Sequence, residues 1–313
     1  MESGQPSFYW YDLETSGTHP ASDRIIQFAG MRTDLELNPL GESTSWFVRI
    51  GEEVVPSPAA CLVTGITPQQ TAEQGIGEWE AITEINRLFA TPGTCTVGFN
   101  NLRFDDEFVR YTLYRNLMDP YAREWRDGNS RWDLIDLVRA AGALRPDGID
   151  WPVIDGRPSF RLEAMTQANG LDHESAHDAL SDVQATLSVA RLIRHAQPRL
   201  WDYFRQTSGK AEIRRMLVPL GANLCVHVSR MYSNTRFCLA PVMSVAQHPE
   251  IDNSVIVADL SVDVSNLIER SVDELREMLF TSESEERPGL KAVRFNRCPF
   301  VGPIKVVRQQ DAT

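Results

Sequence analysis

The chain has 313 residues, with 31 Lys+Arg against 43 Asp+Glu and a formal net charge of −12. Apolar residues make up 42% and charged residues 24%, which excludes wholesale disorder, and the length predicts about two domains. No run approaches the roughly 20 apolar residues of a membrane span, and the acidic total by itself argues against nucleic acid as a partner.

The opening residues, MESGQPS, run straight into strand-like sequence and leave no room for a signal peptide. Five cysteines (Cys61, Cys95, Cys225, Cys238, Cys298) are scattered, odd in number and without a C-x-x-C pair. That disfavours a disulfide framework or a zinc site and suits the reducing cytoplasm. Strands are predicted at residues 8–14, 24–34, 43–50 and 95–99, where aromatic or β-branched residues lie between turn residues. Residues 78–90 place Trp79, Ile82, Ile85, Leu88 and Phe89 at helical spacing. After residue 103 the pattern turns mostly helical, and a long helix over about 176–195 stops before Pro198. Strands first and helices afterwards predict an α/β domain, a mixed sheet covered by helices. A short helix at 199–206 then leads to strands at 223–229, 236–242 and 254–260, a smaller β-rich domain. Charge shifts at the same place: residues 1–197 net −13 and residues 198–313 net +1. The expected domains are therefore 1–197 and 198–313. Residues 282–289, SESEERPG, read as a solvated loop.

Three motifs carry chemistry. In YDLETSGTHP (11–20), Asp12 and Glu14 are two apart and project from one face of a strand. Adjacent carboxylates repel, and a shared divalent cation removes that cost. A bare D-x-E also fits a solvated strand edge, but the aromatic FYWY before it marks a buried strand. Thr15, Ser16 and Gly17 supply a tight polar turn where a nucleotide can approach the backbone, so Glu14 and Thr15 are candidates for substrate contact. In NNLRFDDEF (100–108), Asp105 follows Phe104 at a strand exit, although a helix start alone explains the acidic run better. In SAHDALSDVQATL (175–187), Ser175 and Asp178 form a capping-box-like pair that opens a helix beside His177. Asp182 lies one turn further in, costly to bury unless paired or metal-bound. Alone, His177 reads as a capping or structural histidine.

D-x-E, then N-x-x-x-F-D, then H-x-A-x-x-D, in this order, resemble the DEDDh 3′→5′ exonucleases, whose fold is RNase H-like. Longer stretches, among them DLETSGTHPASDRIIQFAGMRTD, GFNNLRFDDE, NSRWDLIDLVRA and PSFRLEAMTQANG, resemble the bacterial exonuclease I family. QPRLWDYF and HPEIDNSVIVADL carry the resemblance into that family's SH3-like domain. It implies an RNase H-like exonuclease domain followed by an SH3-like domain, incomplete at its C-terminal end; the family continues into a further helical domain, so the chain is either a fragment or a shortened member. The implied activity is single-stranded-DNA-specific 3′→5′ hydrolysis in DNA repair and recombination, releasing nucleoside 5′-monophosphates. The enzyme would be a monomer in the cytoplasm with two Mg²⁺ ions, for which Mn²⁺ substitutes. By the same resemblance, Asp12 bridges both ions, Glu14 and Asp182 hold the one with the attacking water, and Asp105 supports the second. His177 becomes the general base, suited by an intrinsic imidazole pKa of about 6.5.

The acidic total still allows a groove for DNA, because charge is unevenly spread. Residues 103–161 interleave ten Arg with nine aromatics, and 28 of the 31 basic residues are Arg. Arginine to phosphate plus aromatic to base is how single strands are held without sequence preference. Arg110, Arg139 and Arg161 are the phosphate candidates. Tyr121 and Trp125, four apart near the helix-breaking Asp119–Pro120, are the stacking candidates, whereas Phe104, Phe108 and Tyr111 read as core. In this family single-stranded DNA-binding protein docks through its acidic C-terminal tail, and the resemblance makes Arg145 and Tyr203 candidates for that pocket. Two rival readings are open. A DEDDh exoribonuclease, oligoribonuclease-like or RNase T-like, is opposed by the extra residues 198–313. A catalytically silent nucleic-acid-binding adaptor predicts loss of one of Asp12, Glu14, Asp105, His177 or Asp182, and all five are present.

Overall fold

The computed structural model describes residues 5–173, 178–280 and 289–307. The chain divides into two units. The first comprises Met1–Ile135, Ile149–Pro152 and Ser159–Ala196, and the second Asp136–Gly148, Val153–Pro158 and Gln197–Thr313. The last change of unit falls between Ala196 and Gln197, one residue before the expected boundary at 197/198.

In the first unit run β1 (Ser7–Thr15), β2 (Ile25–Thr33), β3 (Thr44–Arg49), α1 (Pro58–Thr64), α2 (Pro68–Gln74), β4 (Ile76–Gly77), α3 (Glu78–Phe89), β5 (Thr94–Gly98), α4 (Asp105–Arg115) and β6 (Ser130–Asp133). The start of α5 (Leu134–Leu144) also belongs here, followed by α6 (Leu162–Ala168) and α7 (Ala179–Ala196). The sheet has the order β4-β3-β2-β1-β5-β6. β1 is antiparallel to β2 and parallel to β5, and β6 is parallel to β5. This is the mixed, helix-covered sheet that the sequence predicts.

Every residue of β1 is buried apart from the half-buried Asp12, because side chains alternate between two covered faces. On one face Tyr9, Tyr11 and Leu13 share a core with Phe28, Ile85, Phe89, Phe108 and Val109. The other face starts apolar: Phe8 stacks on Trp132 at 5.8 Å, and Trp10 donates its indole N–H to Thr33 Oγ1 at 2.9 Å. Two residues later it turns acidic, at Asp12 and Glu14. α7 packs against β1 and β2.

Two aromatic assignments need correction. Trp79 is 64% exposed, because it lies in the first turn of α3, ahead of the buried Ala81, Ile82, Ile85 and Phe89. Tyr111 is 42% exposed, because the inward face of α4 is Asp105, Phe108, Val109 and Thr112, which leaves Tyr111 at its rim.

The second unit holds the hairpin β7 (Val153–Ile154) and β8 (Arg157–Pro158), then α8 (Pro198–Thr207), α9 (Lys210–Leu217), β9 (Leu224–Val228), β10 (Leu239–Gln247) and β11 (Ser254–Asp259). α10 (Ser265–Glu269), α11 (Val272–Phe280), β12 (Leu290–Arg294) and β13 (Val301–Pro303) follow. Its antiparallel sheet has the order β12-β11-β10-β9-β13. Ile213, Leu217, Val242, Val255, Val257 and Phe295 fill the core. β10 begins three residues later than expected, since Phe237 and Cys238 have φ of 52° and 59°, outside the extended region. Phe237 is also one of the contacts that tie residues 136–148 to this unit. A Cβ on Gly142 would lie 2.2 Å from its ring, so the ring packs directly on the backbone of α5. The loop expected at 282–289 lies, apart from Gly289, outside the described residues. Among those described, no helix is long and apolar enough to cross a membrane.

Candidate functional site

The acidic end of β1 is positioned by its neighbours. Asp12 lies opposite Ala29 and Glu14 opposite Gln27 on β2, and the regular register breaks between Glu14 and Thr15. There the Thr15 hydroxyl donates to the Gly17 carbonyl at 2.7 Å, closing the tight polar turn. The third carboxylate, Asp182, comes from the first turn of α7. One oxygen from each of Asp12, Glu14 and Asp182 lies within 4.8 Å of the other two.

The start of α7 differs from the expected capping box. Asp178 caps it, its Oδ1 accepting from Ser181 N–H at 3.1 Å and its carbonyl from Asp182 N–H at 3.0 Å. Ser175 and His177 lie outside the described residues. Gln27 holds this helix end to the sheet, donating to Asp178 Oδ2 at 3.2 Å while its Oε1 accepts from Ala179 N–H at 3.4 Å.

Asp105 arrives by another route. β5 ends at Gly98, where any Cβ would lie 2.9 Å from the Tyr11 carbonyl oxygen. The chain then turns through Asn101–Arg103, fixed by the buried Asp133 at the end of β6. Asp133 accepts from Asn100 N–H at 2.8 Å and pairs with Arg103 at 3.2 Å. This turn delivers Asp105 to the start of α4, where its Oδ1 accepts from Leu13 N–H at 3.2 Å. It is therefore anchored to the backbone between Asp12 and Glu14, beside the three-carboxylate cluster.

The electrostatics follow from this crowding. Burial, followed by the charges of Asp105, Asp182, Glu14 and Asp178, pushes Asp12 well above the usual carboxylate range. Glu14 is pushed up to about 8 by burial and by Asp182, Asp105 and Asp178. Asp105 is also pushed up to about 8, chiefly by burial, against the opposing backbone hydrogen bonds. A like-charged cluster of hard oxygen donors fits a divalent cation, whose charge reverses the cost of ionising them.

Asp106, the next residue, has the opposite character. Burial would raise it, but Arg123 and Arg131 outweigh burial and hold it well below the usual carboxylate range. It pairs with Arg123 at 2.8 Å and with Arg131, and neither Asp106 nor Arg123 has any exposed side-chain surface. Arg131 continues to Glu124 at 3.0 Å, and Glu124 takes Arg110 at 2.7 Å. In the sequence Asp106 has the look of a helix-start charge alone. Its one visible signal was the number of arginines downstream.

The remaining candidates are spread out. Arg110 is 12% exposed and spends its guanidinium on Glu124 and Glu107. The guanidinium of Arg110 also lies over the exposed Tyr121 ring at 5.3 Å, and Arg126 lies over the exposed Trp125 at 5.6 Å. Arg161 is exposed at the N-cap of α6. Arg139, 7% exposed, falls in the second unit and pairs with Asp136 at 3.0 Å. Arg145 and Tyr203 meet in a cavity of about 510 Å³ inside the second unit, with Leu144, Pro198, Leu200 and Phe300 also on its wall. Arg145 donates to the Val306 carbonyl at 3.0 Å and Tyr203 to the Val301 carbonyl at 2.9 Å.

Comparison with known proteins agrees with this geometry. The family described as Exonuclease matches residues 9–190, and the Exonuclease I SH3-like domain matches residues 208–313. The unit with the mixed sheet is thus an RNase H-like exonuclease domain, and the antiparallel sheet belongs to an SH3-like domain. The chain is similar to exodeoxyribonuclease I of Haemophilus influenzae, 47% identical over 98% of this chain and 66% of that protein. It is also similar to the zinc-bound complex of Escherichia coli exonuclease I with single-stranded DNA, at TM-score 0.95 and 44% identity, covering 98% of this chain and 67% of that one. An exonuclease I complex with SSB-Ct gives TM-score 0.94 at 43% identity, with the same coverage.

Proposed function

The chain belongs to the exonuclease I family, and from that premise we propose that it hydrolyses single-stranded DNA from the 3′ end, releasing nucleoside 5′-monophosphates. The observation that carries the reading is the approach of Asp12, Glu14 and Asp182 to within 4.8 Å at the end of β1. Asp105, hydrogen-bonded to Leu13 N–H, supplies the fourth carboxylate.

Two divalent cations, Mg²⁺ or Mn²⁺ in its place, supply phosphate charge neutralisation, a nucleophile at neutral pH and a stabilised leaving oxygen. Asp12, Glu14 and Asp182, with Asp105 beside them, would hold these cations. The protein's own part is to hold these oxygens together, where burial and mutual repulsion make a neutralising charge favourable. His177, five residues before Asp182, takes the proton from the attacking water as general base. Thr15 and Glu14 meet the terminal nucleotide, Tyr121 and Trp125 stack on bases, and Arg161 meets phosphate, as does Arg139 if its ion pair opens. In the second unit, Arg145 and the apolar wall beside Tyr203 suit an acidic peptide with hydrophobic residues, the chemistry of the single-stranded DNA-binding protein tail. The enzyme acts as a monomer in the cytoplasm, in DNA repair and recombination.

Mg²⁺-dependent digestion of 3′-labelled and 5′-labelled single-stranded DNA tests the reading, with RNA of equal length alongside. Immediate release of labelled mononucleotide from the 3′ end of DNA is expected. Label released first from the 5′ end, or a preference for RNA, would overturn it.

A further inference from the structure

The loop between α6 and α7 holds a histidine that the reading above leaves unused. The His173 side chain is 5% exposed, and its Nε2 lies 2.6 Å from Asp182 Oδ1. On the other side of the ring, Nδ1 lies 3.3 Å from Thr166 Oγ1. The Thr166 hydroxyl has a single hydrogen, which it donates to the α6 carbonyls of Leu162 and Glu163, at 3.1 and 2.9 Å. The imidazole is thereby fixed from behind by a helix and meets Asp182 with Nε2. Asp182 is in turn one of three carboxylates whose oxygens converge.

We infer that His173 is a positioning residue that orients the Asp182 carboxylate for a divalent cation, with Thr166 setting the plane of the ring. The inference rests on reading Asp182 as a cation ligand. A carboxylate has two oxygens, and tying one to a fixed imidazole fixes the direction of the other. Side chains that hold ligands in this way are worth about 10–100-fold in metal affinity or activity. His173 acts through Asp182 and touches no substrate.

Mn²⁺ binding to the full chain without DNA, followed by paramagnetic resonance of the free ion, tests the role. Two substitutions divide the ring's contacts. His173→Asn keeps a group near Nδ1 but cannot reach Asp182, whereas His173→Gln places an amide N–H near the position of Nε2. The Asn variant is expected to bind Mn²⁺ about 10–100-fold more weakly, and the Gln variant within a few-fold of the unsubstituted protein. In turnover the Asn variant needs more Mg²⁺, while its KM for DNA and its kcat at saturating Mg²⁺ are kept. Thr166→Val, similar in shape but without the hydroxyl, shows a smaller loss of the same kind and decides the matter should the Asn variant fail to fold. Asp182→Asn distinguishes the two ways of failing. If it binds Mn²⁺ normally, the ligand reading itself is wrong. If it loses Mn²⁺ while the His173→Asn and Thr166→Val variants both stay within twofold, Asp182 is a ligand and the positioning role is overturned. Equal losses in the Asn and Gln variants overturn it as well.

Discussion

The Tyr11 phenol donates to Asp106 Oδ1 at 3.0 Å, tying the central strand of the first unit to the helix that carries Asp105. The same carboxylate neutralises Arg123 and Arg131, so one buried anion fixes three side chains. Asp105 and Asp106 are adjacent in sequence and opposite in character. One belongs to a cluster that a cation would neutralise, and the other is neutralised by arginine.

Removing the charge of Asp106 should therefore cost stability. Asp106→Asn leaves two buried guanidinium groups without their shared partner, a loss of about 3–5 kcal/mol. Tyr11→Phe removes one hydrogen bond to a charged group, about 1.5–3 kcal/mol. Urea unfolding with a two-state analysis measures both. A loss below about 1 kcal/mol for Asp106→Asn would mean that the network relaxes around the gap.

Much of the first unit and its site can be read from sequence because the signals are local. The FYWYDLE run identifies a strand buried on both faces, and the two-residue spacing puts Asp12 and Glu14 on the same face. Asp182 is legible because a carboxylate among Ala179, Val183 and Leu187 needs a reason to be there. His173, Asp133 and the Asp106 network are not legible, because their partners lie 7 to 95 residues away and nothing local marks them. Nor does composition show that residues 136–148 belong with the second unit, where Phe237 packs on Gly142.

The raised carboxylates set a pH dependence. Glu14 and Asp105, at about 8 when folded, hold protons that unfolded carboxylates release near pH 4. The folded state binds more protons than the unfolded one, so stability falls as pH rises from about 4 to about 8 and these groups add no further loss above that. A cation needs the ionised forms, so its binding releases protons at pH 7 and tightens toward pH 8. Melting curves in chelator and in Mg²⁺ should diverge as pH rises. A metal-free melting temperature that climbs between about pH 5 and pH 8 would contradict the assignment.

His177→Ala should separate proton transfer from cation binding. The variant is expected to keep the fold and Mn²⁺ affinity but lose about 10²–10⁴-fold in turnover, the usual contribution of a general base. Single-turnover digestion with metal held saturating measures it. Near-normal turnover would remove His177 from the mechanism.

The cavity in the second unit allows charge and packing to be tested separately. Arg145→Ala removes a cation from the wall and should weaken binding of an acidic, hydrophobic tail peptide at least about tenfold, or 1.4 kcal/mol, with peptide-free nuclease activity unchanged. Tyr203→Phe loses only the hydroxyl bonded to Val301. It should cost about 1 kcal/mol of stability and leave peptide binding in place. Titration by fluorescence anisotropy gives both affinities. Equal affinity for Arg145→Ala and the unsubstituted protein would place the peptide elsewhere.

Arg110 and Arg161, alike in sequence as phosphate candidates, should behave differently. Arg161 is exposed at the α6 N-cap, so its loss should weaken DNA binding for every sequence and reduce the salt slope by about one unit. Arg110 is already neutralised by Glu124 and Glu107. Binding phosphate would require breaking a two-pronged ion pair, so Arg110→Ala should lower stability and leave the salt slope unchanged. Titrating labelled single strands over a series of salt concentrations, in chelator to prevent cleavage, gives each slope directly. If the two variants shift the slope equally, the Arg110–Glu124 pair opens when DNA binds, and both arginines contact phosphate.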